Sequence, residues 1–429
     1  MTVEDRTSDD RLRERAALVR LATRASRNTD SDVALDELEG LARAAGAVVV
    51  LRVVQERATP DPATLIGAGK AELLARACDE SDVQLVIVDN ELTPAQTRNL
   101  EEACRRRVID RTALILDIFA SRARTREGQL QVELAQLQYR LPRLAGSSDA
   151  LSRLGGGIGT RGPGETKLET DRRRIRYRIA GLKRDIADVQ RRRGYLRARR
   201  RRSDVPIVAL VGYTNAGKTT LFNRMTGSSA VASDALFVTL DPLMRRLKLP
   251  DSRQILLADT VGFIDRLPHQ LVAAFHATLE EVAAADLLIH VIDASAADRE
   301  RRRDAVRSVL AEVGAQQIPM VDAFNKIDRL EALELAALRT AHPDALWLSA
   351  QDGTGRDDLL AAIAGHLDMD ATRVTLSLDS SDAADRKLLA ELYRHARVVS
   401  QTSADARVSV EAEIPKRLLG RFARVTVPA

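Results

Sequence analysis

Residues 205–220 read Val-Pro-Ile-Val-Ala-Leu-Val-Gly-Tyr-Thr-Asn-Ala-Gly-Lys-Thr-Thr, and this stretch decides the fold. The apolar run at 208–211 is typical of a buried strand, and it leads directly into glycines at 212 and 217. This spacing lets the backbone curl until successive N–H groups point inward at a polyphosphate. A helix that begins at Lys218 adds the positive end of its dipole. The stretch therefore predicts a phosphate-binding loop between a strand and a helix.

The polar groups of this loop have predicted roles. Lys218 would pair the β- and γ-phosphates, and the Thr219 hydroxyl would supply an oxygen ligand to Mg²⁺. A chance glycine-rich turn is the alternative, but a strand precedes the motif and a helical Leu-Phe-Asn follows at 221–223. The candidate nucleotide contacts of the loop are Gly212, Tyr213, Thr214, Asn215, Ala216, Gly217, Lys218, Thr219 and Thr220.

The composition is that of a soluble chain with several domains, because 429 residues exceed one typical core. No apolar run approaches the ~20 residues of a membrane span, and the N-terminus lacks a hydrophobic signal region. Cys78 and Cys104 have no neighbouring His or Cys cluster, so neither a disulfide nor a metal site is indicated. We expect a cytoplasmic protein without a membrane span, monomeric in its free form.

Positive charge is concentrated in one segment. The whole chain carries a net charge of +5, whereas residues 120–204 hold 23 Lys and Arg against 9 Asp and Glu, a net +14. The remainder of the chain therefore sums to −9. Such an excess favours a polyanionic partner, most often nucleic acid.

The first part of the chain changes composition near residue 29. Residues 1–28 are dense in Arg, Asp and Glu, which predicts a flexible tail. Residues 29–120 alternate helical periodicity with short apolar runs, which predicts an α/β subdomain with a small parallel sheet. Its predicted strands lie at 48–54, 83–89 and 108–110. Gly-Ala-Gly-Lys at 67–70 lacks the spacing of a nucleotide fingerprint, so a helix-entry turn is favoured over a second phosphate site.

Residues 121–204 predict an arm made of two helices. Apolar residues recur with heptad spacing from 130 to 144 and again from 175 to 189, and a glycine-rich stretch at 146–164 joins the two runs. An antiparallel helical hairpin with a glycine-rich tip fits this pattern. Solvated coiled-coil faces normally mix charges, so binding to a polyanion is favoured over a merely solvated face. The outer basic residues are Arg172, Arg173, Arg174, Arg176, Arg178, Arg191, Arg192, Arg193, Arg199, Arg200, Arg201 and Arg202.

The remaining sequence predicts two domains. Residues 205–369 alternate strands and amphipathic helices as a doubly wound α/β domain does, in which ligands bind at the carboxyl ends of the strands. Residues 370–429 read as a small α+β domain without a visible catalytic cluster. The predicted fold class is therefore α/β, with a P-loop domain, an N-terminal α/β subdomain carrying a helical-hairpin arm, and a C-terminal α+β domain.

Three further motifs end predicted strands of the P-loop domain. Asp259 can hold the water shell of Mg²⁺, and the N–H of Gly262 can sense a γ-phosphate. The carboxylate of Asp328 can accept from N1–H and the 2-amino group of guanine, which adenine does not offer. Ser349-Ala350 would give a backbone contact to the base oxygen. The candidate contacts from these motifs are Asp259, Thr260, Val261, Gly262, Asn325, Lys326, Ile327, Asp328, Ser349 and Ala350.

With these motifs in this order, the chain resembles the TRAFAC class of GTPases, and longer stretches resemble the HflX family of ribosome-associated GTPases. The resemblance covers nearly all of the chain, but residues 1–28 are not part of it. Besides the phosphate-binding loop, the matching stretches are Asp-Asn-Glu-Leu-Thr-Pro-Ala-Gln-Thr-Arg-Asn-Leu-Glu at 89–101, Gly-Gly-Gly-Ile-Gly-Thr-Arg-Gly-Pro-Gly-Glu-Thr-Lys-Leu-Glu at 155–169, Leu-Phe-Val-Thr-Leu-Asp-Pro at 236–242 and Asp-Thr-Val-Gly-Phe-Ile at 259–264.

The resemblance implies that Thr239 is a switch threonine, which closes on Mg²⁺ and the γ-phosphate only in the GTP state. Thr219 and Thr239 are then the implied metal ligands. The candidate catalytic groups are Lys218, Thr239 and Gly262, which would stabilise charge in the transition state rather than act as bases. The implied nucleotide contacts of the switch segment are Phe237, Val238, Thr239, Leu240 and Asp241.

Phe263 follows Gly262, where many GTPases have a glutamine that orients the attacking water. A phenylalanine ring cannot polarise water. Either a partner or another residue supplies the missing group, or hydrolysis is slow until the target is bound. We expect GTP hydrolysis to GDP and phosphate to be slow in the free protein and stimulated by ribosomal subunits.

The resemblance also implies the partner and the process. Members of this family contact the large (50S) ribosomal subunit and its rRNA through the N-terminal domain and arm, and they split or rescue ribosomes under stress. A ribosome-assembly GTPase shares the same motifs and is the alternative. An RNA-remodelling NTPase that uses ATP is a third hypothesis, against which Asp328 argues because it reads guanine.

Overall fold

A computed structural model describes residues 14–23, 31–144, 163–201, 205–229, 236–237, 243–251, 253–265, 282–368, 371–404, 407–415 and 419–427. These residues fall into two compact units. The first holds the described residues up to Val189 together with 236 and 237, and the second holds the others. In the part of the chain that is described, no helix is both long and apolar enough to cross a membrane.

The N-terminal unit contains a four-stranded sheet in which all neighbouring strands are parallel. Its order is β2-β1-β3-β4, so β2 and β3 lie on opposite sides of β1. The strands are β1 (Arg15–Ala22), β2 (Val48–Glu56), β3 (Leu85–Val88) and β4 (Arg107–Asp110). The helices are α1 (Ser31–Ala44), α2 (Ala68–Glu80), α3 (Pro94–Cys104) and α4 (Arg111–Arg122).

The expectation of a flexible tail over residues 1–28 is wrong for residues 15–22. They form β1, an inner strand whose residues from Ala16 onward are buried. The apolar residues of this strand are interrupted by Arg20, which is itself buried because it forms an ion pair with Asp89. Charge density along the chain suggested disorder, but the partner that neutralises Arg20 lies at the end of β3, far away in sequence. Residues 1–13 and 24–28 lie outside the described residues.

A buried polar network closes the carboxyl edge of this sheet between β1 and β3. Asp89 accepts from Arg20 and also from Arg111, whose Nη1 lies 3.2 Å from its carboxylate. Arg111 also forms an ion pair with Glu37 of α1. The Asn90 side chain extends the sheet, because it accepts from the Leu21 N–H at 2.8 Å and donates to the Leu21 carbonyl at 3.1 Å. Protein groups therefore fill this crevice, the position where open α/β sheets commonly bind ligands.

Two helices follow the sheet, α5 (Arg126–Arg143) and α6 (Pro163–Arg201). On α6, Leu182 and Ile186 of the predicted heptad seam are buried. On α5 the seam leucines are only half-buried, and the buried residues lie on another face, which includes Val132 and Ala135. The helices are joined by the Arg178 guanidinium, which donates two hydrogen bonds of 2.7 Å to the carboxylate of Glu133 on α5. The predicted tip at 146–164 lies almost wholly outside the described residues.

The second unit contains the predicted doubly wound domain, with sheet order β10-β9-β8-β5-β7-β6. Its central strands β5, β7, β8 and β9 are mutually parallel, whereas β6 is an antiparallel edge strand that we did not predict. The strands are β5 (Ile207–Gly212), β6 (Leu243–Lys248), β7 (Gln254–Asp259), β8 (Leu287–Asp293), β9 (Met320–Asn325) and β10 (Leu346–Trp347). The helices are α7 (Lys218–Thr226), α8 (Arg299–Glu312), α9 (Ala332–Ala341) and α10 (Arg356–Asp368).

The same unit holds a three-stranded antiparallel sheet of order β11-β13-β12. The strands are β11 (Ala371–Asp379), β12 (Arg397–Ala404) and β13 (Arg407–Pro415), and the helices are α11 (Ala383–His395) and α12 (Leu419–Phe422). After α12 the chain makes an isolated β-bridge between Leu376 and Thr426. The predicted fold class, a P-loop α/β domain with a small C-terminal α+β part, is confirmed.

Two residues from the predicted switch segment belong to the N-terminal unit. Phe237 is buried, and its ring meets that of Phe119 on α4 edge-on, with 4.6 Å between the ring centroids. A Cβ added to Gly40 of α1 would lie 3.1 Å from Leu236. Leu236 and Phe237 therefore pack against helices of the N-terminal unit.

Replacing Arg20 by methionine tests the buried network. The charge of Asp89 would lose one of its two buried guanidinium partners, which should cost about 3–5 kcal/mol. We expect the opening free energies of β1 and β3 amides, measured by hydrogen exchange, to fall by that amount. Arg52→Met is the matched control, because Arg52 forms exposed ion pairs with Asp36 and Glu39 and should cost at most about 1 kcal/mol. Equal effects of the two substitutions would contradict this account.

Candidate nucleotide-binding site

The phosphate-binding loop leaves the carboxyl end of β5, which lies between β7 and β8 in the sheet. Gly217 caps α7 with a φ of 92°, a backbone conformation that favours glycine. A Cβ at this position would lie 2.2 Å from the Nδ2 of Asn325. The motif therefore needs glycine at 217 both for its turn and for the close approach of a neighbouring loop.

Lys218 lies buried at the first position of α7, and its ammonium fills the loop. The Nζ donates to the carbonyl oxygens of Gly212 at 3.1 Å and Tyr213 at 2.8 Å. Burial lowers the pKa of Lys218 to about 8, although the negative charge of Asp259 opposes this shift. Without a polyphosphate, the loop thus holds a cation at high desolvation cost.

Thr219 and Asp259 supply oxygen ligands suited to Mg²⁺. The Thr219 hydroxyl donates to the Asp259 carboxylate at 2.8 Å, and Asp259 is fully buried at the end of β7. Among the described residues no cluster of three His, Cys, Asp or Glu side chains could hold a metal. Mg²⁺ takes one or two protein oxygens and completes its shell with phosphate oxygens and water, so the Thr219 and Asp259 oxygens suit it.

Gly262 lies against the loop on the side of Lys218. A Cβ added to Gly262 would lie 2.8 Å from the Thr214 Cα and 3.2 Å from the Lys218 Nζ. The space beside the lysine is thus open only because residue 262 has no side chain. Gly262 and the Lys218 ammonium are therefore close neighbours, as the predicted contact of both with a γ-phosphate requires.

Phe263 is held by backbone pairing to the phosphate-binding loop. Its N–H donates to the Gly212 carbonyl at 3.0 Å, and its carbonyl accepts from the Thr214 N–H at 2.7 Å. The Phe263 ring is buried. It neither reaches solvent nor carries a polar atom, so it cannot orient an attacking water.

Tyr213 ties the loop to the segment after Phe263, a contact that the sequence analysis missed. Its hydroxyl accepts from the Asp265 N–H at 2.9 Å, and Arg302 of α8 lies over its ring at 5.1 Å from the centroid. Arg301 forms a 2.6 Å ion pair with the Asp265 carboxylate. The cluster of arginines at the start of α8 was the signal in the sequence that could have indicated this support.

Asn325 joins two loops on the side predicted to bind the base. Its Nδ2 donates to the Ala216 carbonyl at 2.8 Å, and its Oδ1 accepts from the Ala350 N–H at 2.9 Å. The Ala350 amide, which belongs to the Ser349-Ala350 segment predicted to contact the base oxygen, is therefore engaged in holding Asn325. It could reach a base only by sharing or releasing this hydrogen bond.

Lys326 and Asp328 follow Asn325 with different surroundings. Lys326 adopts a φ of 65° and its Nζ lies 2.7 Å from the carboxylate of Asp293, a partner that the sequence analysis did not identify. Asp328 is exposed in a short 3₁₀ helix over Ile327–Arg329 and makes no hydrogen bond or ion pair with a described residue. Its carboxylate is available to a ligand.

The other predicted contacts are placed as follows. Asn215 is exposed at a φ of 58° in the loop, and Thr260 is buried with its hydroxyl 2.7 Å from the Leu210 carbonyl. Ser349 is buried, and its carbonyl accepts from the Gly353 N–H at 2.9 Å. Phe237 lies in the N-terminal unit. Val238, Thr239, Leu240 and Asp241 lie outside the described residues.

The lowered pKa of Lys218 predicts that nucleotide binding takes up protons. A polyphosphate beside the ammonium favours its charged form, so the pKa rises from about 8 when GTP binds. Titration calorimetry in buffers of different ionisation enthalpy should show little proton uptake near pH 7, roughly half a proton near pH 8 and more above it. The affinity for GTP should fall correspondingly at high pH. Uptake that does not change with pH would contradict the buried state of this lysine.

Three family models match the chain. The model described as GTP-binding GTPase N-terminal matches residues 32–120, and the GTP-binding GTPase Middle Region matches residues 122–200. A third, described as 50S ribosome-binding GTPase, matches residues 207–326. The matches together reach from the first sheet to the Asn325 motif.

The chain is also similar to individual proteins. It is 45% identical to the GTPase HflX of Caldanaerobacter subterraneus subsp. tengcongensis, over 94% of this chain and 91% of that one. It is 45% identical to the GTPase HflX of Escherichia coli K12, over 89% of each chain. A GTP-binding protein from Sulfolobus solfataricus, solved in complex with GDP, is 24% identical and gives a TM-score of 0.43 over 82% of this chain and 98% of that one. The identity over almost the whole length shows that the chain belongs to the HflX family of GTPases.

Proposed function

We propose that this GTPase acts on the large ribosomal subunit, which it binds through the rRNA, and that the bound nucleotide sets its affinity in order to split or rescue ribosomes under stress. The observation that carries the proposal is the match of residues 207–326 to a model of 50S ribosome-binding GTPases, in a chain whose adjoining arm is strongly basic. A monomer in the cytoplasm would suffice for this role.

The described part of α6 supports a polyanionic partner. Residues 169–192 hold nine Lys and Arg and four Asp and Glu, and the apolar seam through Leu182 and Ile186 is turned into the protein. The basic side chains therefore occupy the remaining faces of the helix. An excess of exposed guanidinium groups along a rigid helix is suited to phosphate backbones.

We assign the nucleotide contacts by the geometry of the loop. Lys218 and the Gly262 N–H would hold the γ-phosphate, while Asn325 keeps the loop closed beneath the β-phosphate and Asp328 reads guanine. Thr219, Asp259 through water, and Thr239 as the family resemblance implies, would hold Mg²⁺. When bound, this ion would neutralise charge on the phosphate oxygens. The charged Lys218 would lie beside the transferred phosphate and stabilise it.

The Phe263 segment supports the proposal that hydrolysis depends on the partner. The segment is paired to the loop at Gly212 and Thr214, so Phe263 has no freedom to leave its buried position without breaking two hydrogen bonds. A water-orienting group must therefore come from another part of the chain or from the ribosome. If the ribosome supplies this group, GTP hydrolysis would be fast only after the protein has bound its target.

Asp328→Asn tests the assignment of the base-reading residue. The asparagine amide no longer accepts both guanine donors, and it can donate to the 2-oxo group of xanthine. GTP binding should weaken by about 2–4 kcal/mol while XTP binding strengthens, measured with the purified variant. Asp344→Asn, at an exposed position before β10, is the control and should leave both affinities unchanged. Unchanged GTP affinity in the Asp328 variant would remove this assignment.

Addition of large ribosomal subunits tests the proposed target. We expect the protein to sediment with large subunits when a non-hydrolysable GTP analogue is bound and much less when GDP is bound. Single-turnover GTP hydrolysis should rise by roughly two orders of magnitude or more on adding subunits. Small subunits are the control. Equal rates with and without large subunits, or sedimentation with neither nucleotide, would refute the proposal.

A further inference from the structure

We propose that Tyr177 on α6 is a stacking platform for an unpaired RNA base, bracketed by Arg173 and Arg184 as phosphate contacts. This inference rests on the proposed function and specifies how the arm would meet rRNA. It assigns a binding site of a defined kind, a single-stranded nucleotide whose base lies on an aromatic ring.

Tyr177 faces away from the protein. It is 72% exposed, although it lies in the middle of a long helix. At 100° per residue, its side chain points about 160° away from Ile175 and Ile179 of the half-buried seam. The ring is therefore presented on the face of α6 opposite to the one that packs.

Two arginines share this face with the ring. Arg173 precedes Tyr177 by four residues and Arg184 follows it by seven, so they lie about 6 Å and about 10 Å from it along the helix axis. Both are exposed, and neither makes an ion pair or a hydrogen bond with a described residue. By contrast, Arg178 on the flank of the helix is engaged with Glu133. The face that carries the ring thus also carries guanidinium groups that are not engaged by described carboxylates.

Gly181 provides a second, independent observation. It lies one turn after Tyr177 in the interior of α6, where glycine costs about 1 kcal/mol relative to alanine. A Cβ added there would meet no atom within 4 Å, so packing within the described protein does not require glycine. With Ala180 beside it, Gly181 leaves a shallow notch next to the ring. A base that stacks on the ring would need this space.

The neighbours of the ring favour RNA over a protein partner. An exposed aromatic side chain alone is common on protein surfaces. The buried core of a protein interface is mostly apolar, whereas the residues of α6 within about one turn of the ring on this face are arginine, alanine and glycine, with no second large apolar side chain. An aromatic ring flanked by unneutralised cations is the arrangement with which proteins bind single-stranded nucleic acid without reading its sequence.

Variants at Tyr177 separate stacking from charge. The probes are isolated large subunits, deproteinised large-subunit rRNA and a fluorescein-labelled oligo(A), each titrated across a salt series. Tyr177→Ala should weaken binding roughly 5- to 100-fold without changing the slope of log affinity against log salt, whereas Tyr177→Phe should bind like the parent. Arg173→Gln with Arg184→Gln should flatten the slope by about 0.7 for each lost contact to single-stranded RNA.

Gly181→Leu is a second test variant, chosen because this substitution should not disturb folding. Leucine raises helix propensity, so circular dichroism should show α6 intact. Binding to oligo(A) should nevertheless weaken, because the leucine fills the space beside the ring. Parent-like binding by both Gly181→Leu and Tyr177→Ala would overturn the proposal.

The three probes distinguish this inference from the function on which it rests. If the parent binds large subunits and Tyr177→Ala binds them equally well, stacking is wrong and the proposed function stands. If the parent does not bind subunits but binds oligo(A) in a manner that depends on Tyr177, the platform stands and the ribosomal role falls. If Tyr177→Ala weakens subunit binding but not binding to rRNA or oligo(A), the ring contacts a ribosomal protein and the inference is overturned.

Discussion

The side-chain amide of Asn325 is the contact on which the nucleotide site depends. It donates to the Ala216 carbonyl in the phosphate-binding loop and accepts from the Ala350 amide, so one planar group fixes the distance between two loops. Gly217 must lack a side chain for this approach to occur. Buried amides that satisfy both of their hydrogen-bonding ends are costly to replace, because each freed partner would stay buried and unpaired. The geometry of the phosphate side and that of the base side are therefore set by the same residue.

On its other side, the loop is held by backbone pairing with Phe263 and by the Tyr213 hydroxyl, which accepts from the Asp265 N–H. Lys218 lies between the Asn325 contacts and the Phe263 pairing. Its charge is desolvated, and among the described residues it is held by two carbonyl oxygens and, at longer range, by Asp259. These contacts fix the loop around the ammonium. The cost of burying the charge is then recovered when phosphate arrives, which makes the site selective for polyanions.

Local signals were sufficient to predict the P-loop domain, because the loop, the Asp259 segment and the Asn325 motif each end a buried strand. The sequence indicated which residues to consider for the site, but not the contacts they make with one another: the Ala350 amide, part of the segment expected to contact a base, also donates to Asn325. Strand β1 was missed because Arg20 is neutralised by Asp89, a residue distant in sequence. Edge strand β6 was not predicted, because its charged, exposed residues lack the pattern of a buried strand. Long-range pairing and edge position are properties of the assembled sheet, not of a window of sequence.

The burial of Phe237 against Phe119 bears on how this protein can be divided. By sequence the GTPase domain begins at β5, and a gene fragment could be cut there. By structure, a piece of that domain belongs to the N-terminal unit, where Leu236 and Phe237 lie against its helices. A fragment starting at β5 would contain Leu236 and Phe237 but not Phe119 and Gly40, the residues they contact in the N-terminal unit. The start of the GTPase domain in sequence and the boundaries of the compact units therefore lie at different places in the chain.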